Sequence, residues 1–220
     1  MGHNIKKVSL KFRKSHIIYI ISVFLALFCL ISVTILSPKL KAKKRLNHLS
    51  EAKIPAFIST DIIDIHDYAR TGSKLDGLSN IVVHYVGNPA TSAKNNRDYF
   101  NSEGVNVSSH FIVGLEGEVI QCLPLEEISA ASNHRNHDTI SIEVCHPDQS
   151  GKFSEKTYDA LLELLSWLCF EFDLETEAII RHYDVTGKEC PLYYVLNPEE
   201  WEELLSDVDL KLSNYQEGTN

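Results

Sequence analysis

The first 50 residues of this 220-residue chain contain no Asp or Glu, against ten Lys and Arg. The remaining 170 residues therefore hold 11 basic and 30 acidic side chains, a net charge of −19. Only the N-terminal part can favour an anionic surface, and no nucleic-acid partner is expected for the acidic remainder. Charge of either sign is missing from Ile17 to Leu36, the 20 residues IIYIISVFLALFCLISVTIL. At ~1.5 Å per helical residue such a run is long enough to cross a hydrocarbon core of ~30 Å. The following VTILSPKLKAKK lacks a small-x-small cleavage site. The run also exceeds the ~7–15 residues of a signal-peptide core, so a retained transmembrane anchor is expected rather than a cleaved leader. Lys6, Lys7, Lys11, Arg13 and Lys14 before it balance Lys39, Lys41, Lys43, Lys44 and Arg45 after it, so charge does not set the orientation.

The composition, 44% hydrophobic and 23% charged, lacks the bias of a disordered chain. It divides into a basic tail over 1–16, the anchor over 17–36, a polar juxtamembrane linker over 37–62, a globular domain over 63–214 and a short tail over 215–220. Within the domain, Ile81 to Val86 reads as a buried strand, and Asn88-Pro89 opens a loop into a helix near Ser92 to Asn101. HFIVGLEGEVIQCLP reads as a hairpin turning at Leu115-Glu116-Gly117, and Thr139 to Cys145 as a strand bearing Ser141, Glu143 and Cys145 on one side. FSEKTYDALLELLSWLCFEF has helical spacing with Ser154 as N-cap. A strand from Ala178 to Arg181 and a helix from Pro198 to about Leu212 follow. Strands, hairpin and crossovers together predict a mixed α+β domain, a central mixed sheet flanked by helices and preceded by one transmembrane helix.

The chemistry concentrates near the C-terminal end. RHYDVTGKECP places His182 and Cys190 eight residues apart, with Lys188 two places before the thiol. Zinc takes nitrogen and sulfur donors, and a catalytic site usually offers three protein ligands and one open position. His84, in the apolar run IVVHYV, is the best third donor. Glu143 stands on an apolar strand, where a carboxylate is costly unless it is paired, metal-associated or functional. A buried histidine and an inert thiol are the plain alternatives for His84 and Cys190, and a solvated strand residue for Glu143.

Four blocks in order, VVHYVGNPATSAKNNRDYF, SSHFIVGLEGEVIQCLP, DTISIEVCHPD and RHYDVTGKECP, resemble the type 2 N-acetylmuramoyl-L-alanine amidases. These are relatives of peptidoglycan recognition proteins and of amidase-type phage lysozymes. The resemblance covers about Ile63 to Val208. It implies a zinc ion held by His84, His182 and Cys190, Glu143 as catalytic base and Lys188 as oxyanion stabiliser. It further implies hydrolysis of the amide between N-acetylmuramic acid and L-alanine, with peptidoglycan or muropeptides as partner. The placement that follows is a membrane-anchored protein whose domain lies outside the cytoplasm of a bacterial envelope.

Phage relatives place a catalytic tyrosine before the histidine of HF, where this chain has Ser109, so the burden falls on Glu143. His110 and Asn133 are candidate substrate contacts, and Asp184 either orients a ligand histidine or caps a turn. With Cys29 in the apolar run and Cys190 given to the metal, Cys122, Cys145 and Cys169 remain, an odd number that indicates no disulfide framework. A recognition module without hydrolysis stays open. So does a metal-free thiol hydrolase, which has no use for His84. A zinc-stapled structural domain would need a fourth ligand that the four blocks do not supply.

Overall fold

The computed structural model describes residues 3–218, and within them the side chains outside 3–15, 26–31, 33–36, 214 and 216–218. The chain forms two units, Met1–Lys41 and Ala42–Asn220. Helix α1, His3–Leu49, accounts for the first and extends into the second. Among the described residues no helix is long and apolar enough to cross a membrane. The expected span over 17–36 lies within α1, but residues 26–31 and 33–36 fall outside the described side chains, so the described residues do not support an anchor.

Parts of the expected linker over 37–62 are regular structure. Helix α1 runs through it to Leu49, and Ala42 and Leu49 are buried in the globular unit. Arg45, expected in a solvated basic run, donates from Nε to the carbonyl of Phe172 at 2.7 Å and from Nη2 to that of Asp173. A guanidinium placed on free carbonyls at a helix end satisfies acceptors that the helix leaves open. Strand β1, Ile58–Thr60, then joins the sheet edge. The domain therefore begins earlier than residue 63.

Five further strands complete a six-stranded sheet: β2 Asn80–Tyr85, β3 Phe111–Val113, β4 Val119–Gln121, β5 Thr139–Val144 and β6 Ile179–Arg181, in the order β1-β4-β3-β5-β2-β6. Only the β3–β4 hairpin is antiparallel. Its turn uses Gly117 at φ 84°, a conformation that side chains with Cβ rarely adopt. β2 and β5 lie in the middle of the sheet and read Ile-Val-Val and Ile-Ser-Ile, the near-continuous apolar runs of strands covered on both faces.

Helix α2, Ala93–Phe100, starts at a capping box in which the Ser92 hydroxyl accepts from the Asn95 N–H and the Asn95 side chain accepts from the Ser92 N–H. Helix α3, Glu155–Phe172, is N-capped by Ser154 and buries Leu161, Leu164, Leu165, Leu168 and Phe172 in the main core. That apolar stripe is wider than the i, i+3, i+4 pattern suggests, because Leu164 and Trp167 are also buried. Two short helices, α4 His182–Thr186 and α5 Leu192–Leu196, follow β6, and α6, Pro198–Gly218, packs along α3.

Candidate active site

Parallel register fixes the site. On β2, His84 lies opposite Glu143 of β5, and Val83 lies opposite Arg181 of β6, so His182 takes the next step beside His84. Neighbours in register project to the same face of a sheet. Glu143, His84 and His182 therefore form one row across the C-terminal ends of three adjacent strands, the edge where open α/β sheets place their ligands.

Cys190 reaches this row by a folded-back loop. Helix α4 ends at Gly187, whose φ of 78° reverses the chain after one turn. The Cys190 carbonyl then accepts from the Tyr183 N–H at 2.9 Å. Arg181 closes the loop from below: its guanidinium binds the Asp184 carboxylate at 2.8 Å and donates to the Tyr194 carbonyl at 3.0 Å. Asp184 also accepts from the Arg181 N–H at 2.8 Å, so its role is local capping rather than orientation of a histidine ring.

The Nδ1 atoms of His84 and His182 are 3.2 Å apart, and the Cys190 Sγ is 3.9 Å from His84 Nδ1. One donor atom from each of the three residues lies within 4.8 Å of the others, and all three side chains are buried. Donors at 2.0–2.3 Å from a tetrahedral zinc stand roughly 3.3–3.7 Å from one another, so the donor types fit and the 3.2 Å and 3.9 Å separations lie close to that range. Burial, then the neighbouring His182 and Lys188, hold the His84 imidazole well below its usual range, which keeps it neutral and able to ligate. Burial followed by the Glu143 charge pushes the Cys190 thiol up to about 12. A bound cation reverses that penalty, because only the thiolate ligates.

Glu143 is half-buried as a residue, yet its Oε2 is shielded from solvent and has no hydrogen-bond partner. Burial pushes its carboxyl up to about 8, against a smaller opposing pull from Lys188. An unpartnered buried carboxylate oxygen beside a cluster of potential metal donors makes Glu143 a candidate functional group. Glu143 and Lys188 line a common cleft of about 510 Å³, whose remaining wall includes Tyr85, Asn88, Asn96 and Tyr99.

The family profile for N-acetylmuramoyl-L-alanine amidases matches residues 75–192, more than half of the chain and every residue of this site. The chain belongs to that family. It is 31% identical over 171 residues to the N-acetylmuramoyl-L-alanine amidase CwlL of Bacillus licheniformis, covering 70% of this chain and 47% of the relative. It is 30% identical over 172 residues to the amidase BlyA of Bacillus subtilis strain 168, covering 69% of this chain and 46% of that one. The chain thus spans less than half the length of these relatives.

The same fold is seen in the solution structure of the PlyG catalytic domain, with a TM-score of 0.62 at 24% identity over 70% of this chain and 94% of that one. The structure of PlyL gives 0.61 at 23% identity over 69% and 96%.

Within this amidase-family domain the substrate contact expected at His110 is corrected. His110 is fully buried: its Nδ1 accepts from the Ser141 N–H at 3.1 Å and its Nε2–H donates to the Glu127 carbonyl at 2.8 Å. With both nitrogens satisfied it is a core residue. Asn133 is exposed, and its Oδ1 accepts from His182 Nε2 at 2.7 Å. Ser109 is fully buried and donates to the Phe111 carbonyl at 2.7 Å, so its hydroxyl takes no place in the cleft. Cys122, Cys145 and Cys169 are buried free thiols. Ser132, whose hydroxyl meets His84 Nε2 at 3.2 Å, was not singled out by its sequence. Its only signal is its place next to Asn133 in a polar loop.

Proposed function

We propose that the chain is a zinc-dependent peptidoglycan amidase that cleaves the bond between the lactyl group of N-acetylmuramic acid and L-alanine. The observation that carries this reading is the row Glu143–His84–His182 closed by Cys190, with an unpartnered carboxylate oxygen beside three metal donors. Peptidoglycan as substrate is supported by the family and by the names of its relatives.

His84, His182 and Cys190 would hold the ion, which when bound supplies Lewis-acid polarisation of the scissile carbonyl and of water. Glu143 takes the proton from the attacking water and passes it to the departing amine of L-alanine. Its raised proton affinity suits both halves of that transfer, since a group poised near neutrality can accept and then donate. Lys188, across the cleft, presents an ammonium to the oxygen on which negative charge develops. Tyr85, Asn88, Asn96 and Tyr99 line the cleft, an uncharged wall suited to a neutral sugar and peptide backbone. Mass analysis of peptidoglycan digests, with and without a chelator, tests this: stem peptides with a free L-alanine terminus are expected only while metal is retained.

We further propose that the uncharged run over 17–36 anchors the chain in a membrane with the domain on the outer side. The support is the absence of charge over 20 residues, together with a substrate that lies outside the membrane.

A further inference from the structure

Each imidazole has two nitrogens, and the partner of the outer one decides which faces the site. We infer that Ser132 and Asn133, consecutive residues of one loop, are positioning residues: Asn133 sets the ring orientation and tautomer of His182, and Ser132 holds the ring orientation of His84 in whichever tautomer the site requires. The inference rests on the zinc reading above. Asn133 Oδ1 can only accept, so its 2.7 Å contact places the His182 proton on Nε2 and leaves the Nδ1 lone pair facing the cluster. His84 Nε2 meets the Ser132 hydroxyl at 3.2 Å. A hydroxyl both donates and accepts, so Ser132 satisfies His84 in either tautomer. That matters because two Nδ1 lone pairs at 3.2 Å repel each other without a cation between them. His84 relieves the repulsion by carrying its proton on Nδ1, where Ser132 donates to Nε2. Once His84 ligates, its Nε2–H donates to Ser132.

The loop is built to hold these two side chains. Asn136 Oδ1 accepts from the N–H groups of Ala131 at 3.2 Å and Ser132 at 2.6 Å. Arg135 ties the turn to the Asn80 side chain, at the start of the strand that carries His84, at 2.6 Å. Asn133 itself sits at φ 55°, a left-handed conformation that Asn tolerates better than most residues and that turns its amide toward His182.

The test uses the full chain in detergent, with two readouts. Zinc affinity is measured by competition with a chromophoric chelator, and histidine tautomers by nitrogen NMR of the metal-free protein. Ser132→Ala and Asn133→Ala are each expected to weaken zinc binding about 10- to 100-fold. Asn133→Asp, which keeps the acceptor, restores it. In the metal-free wild type His182 is expected as the Nε2–H tautomer, and as a mixture in Asn133→Ala. Alanine variants that bind zinc as tightly as wild type, or a wild-type His182 protonated on Nδ1, overturn the inference. If wild type binds no zinc while its His182 tautomer follows Asn133, the zinc reading falls and the positioning role stands.

Discussion

The Nδ1 atoms of His84 and His182 face each other across 3.2 Å, one register step beyond the Val83–Arg181 pair of the central strands. Two buried imidazoles this close, with a thiol 3.9 Å from the first, make a poor packing arrangement and a good set of zinc donors. The purified chain should carry about one zinc per molecule by elemental analysis. His84→Ala, His182→Ala and Cys190→Ala should each lose most of the metal and the activity. Full zinc occupancy in Cys190→Ala would sink the ligand assignment.

Glu143 should cost the metal-free protein stability. Its folded-state carboxyl titrates near 8, above the ordinary value of 4.5. Between those two pH values the unfolded chain releases a proton that the folded chain retains, so rising pH favours unfolding. Glu143→Gln in chelated protein should therefore be more stable than wild type, by little at pH 4 and by a few kcal/mol at pH 8. Urea titrations at the two pH values check this. A constant difference would mean that the carboxyl titrates normally.

His110 carries the opposite slope. Burial lowers its imidazole to about 4 from an ordinary 6.5, so as pH falls through that window the unfolded chain takes up a proton that the folded one refuses. Its contribution is complete above about pH 6.5 and declines toward pH 4, by about 3 kcal/mol at most. The acid-side fall in stability should be shallower in His110→Gln than in wild type. Identical slopes would contradict the buried, neutral assignment.

Protease added to intact protoplasts tests the membrane proposal. Removal of the domain, with a fragment containing residues 17–36 left behind, is the expected result. A protected domain would mean the opposite orientation, and a secreted product starting after Leu36 would mean a cleaved leader.

Much of this was readable from residue order. Ser154 caps its helix where the sequence places it, a helix starts next to Ser92, and the hairpin turns at Gly117. The four motif blocks name His84, His182 and Cys190, which the fold brings together from positions up to 106 residues apart. What stayed hidden depends on long-range contact. Residues 37–49 look like a solvated basic run, and the distant Phe172 and Asp173 carbonyls explain why Arg45 is there. Strand β1 is three residues long and exists because β4 offers it an edge. His110 and Asn133 are polar residues near a site, and local sequence does not say whether such a group faces substrate, core or ligand. Their partners Glu127 and His182 decide it, and both are distant in sequence.

The most direct measurement is release of L-alanine-terminated stem peptides from peptidoglycan by wild type and by Glu143→Gln at equal zinc content. Removing a general base typically costs about 10²- to 10⁴-fold in rate while leaving ground-state binding largely intact. The expected result is therefore a variant that keeps its zinc and binds muropeptide yet releases almost no peptide, while Ser109→Ala loses little. A Glu143→Gln protein that retains most of the wild-type rate, or a wild type that binds muropeptide and never cuts it, would contradict the account.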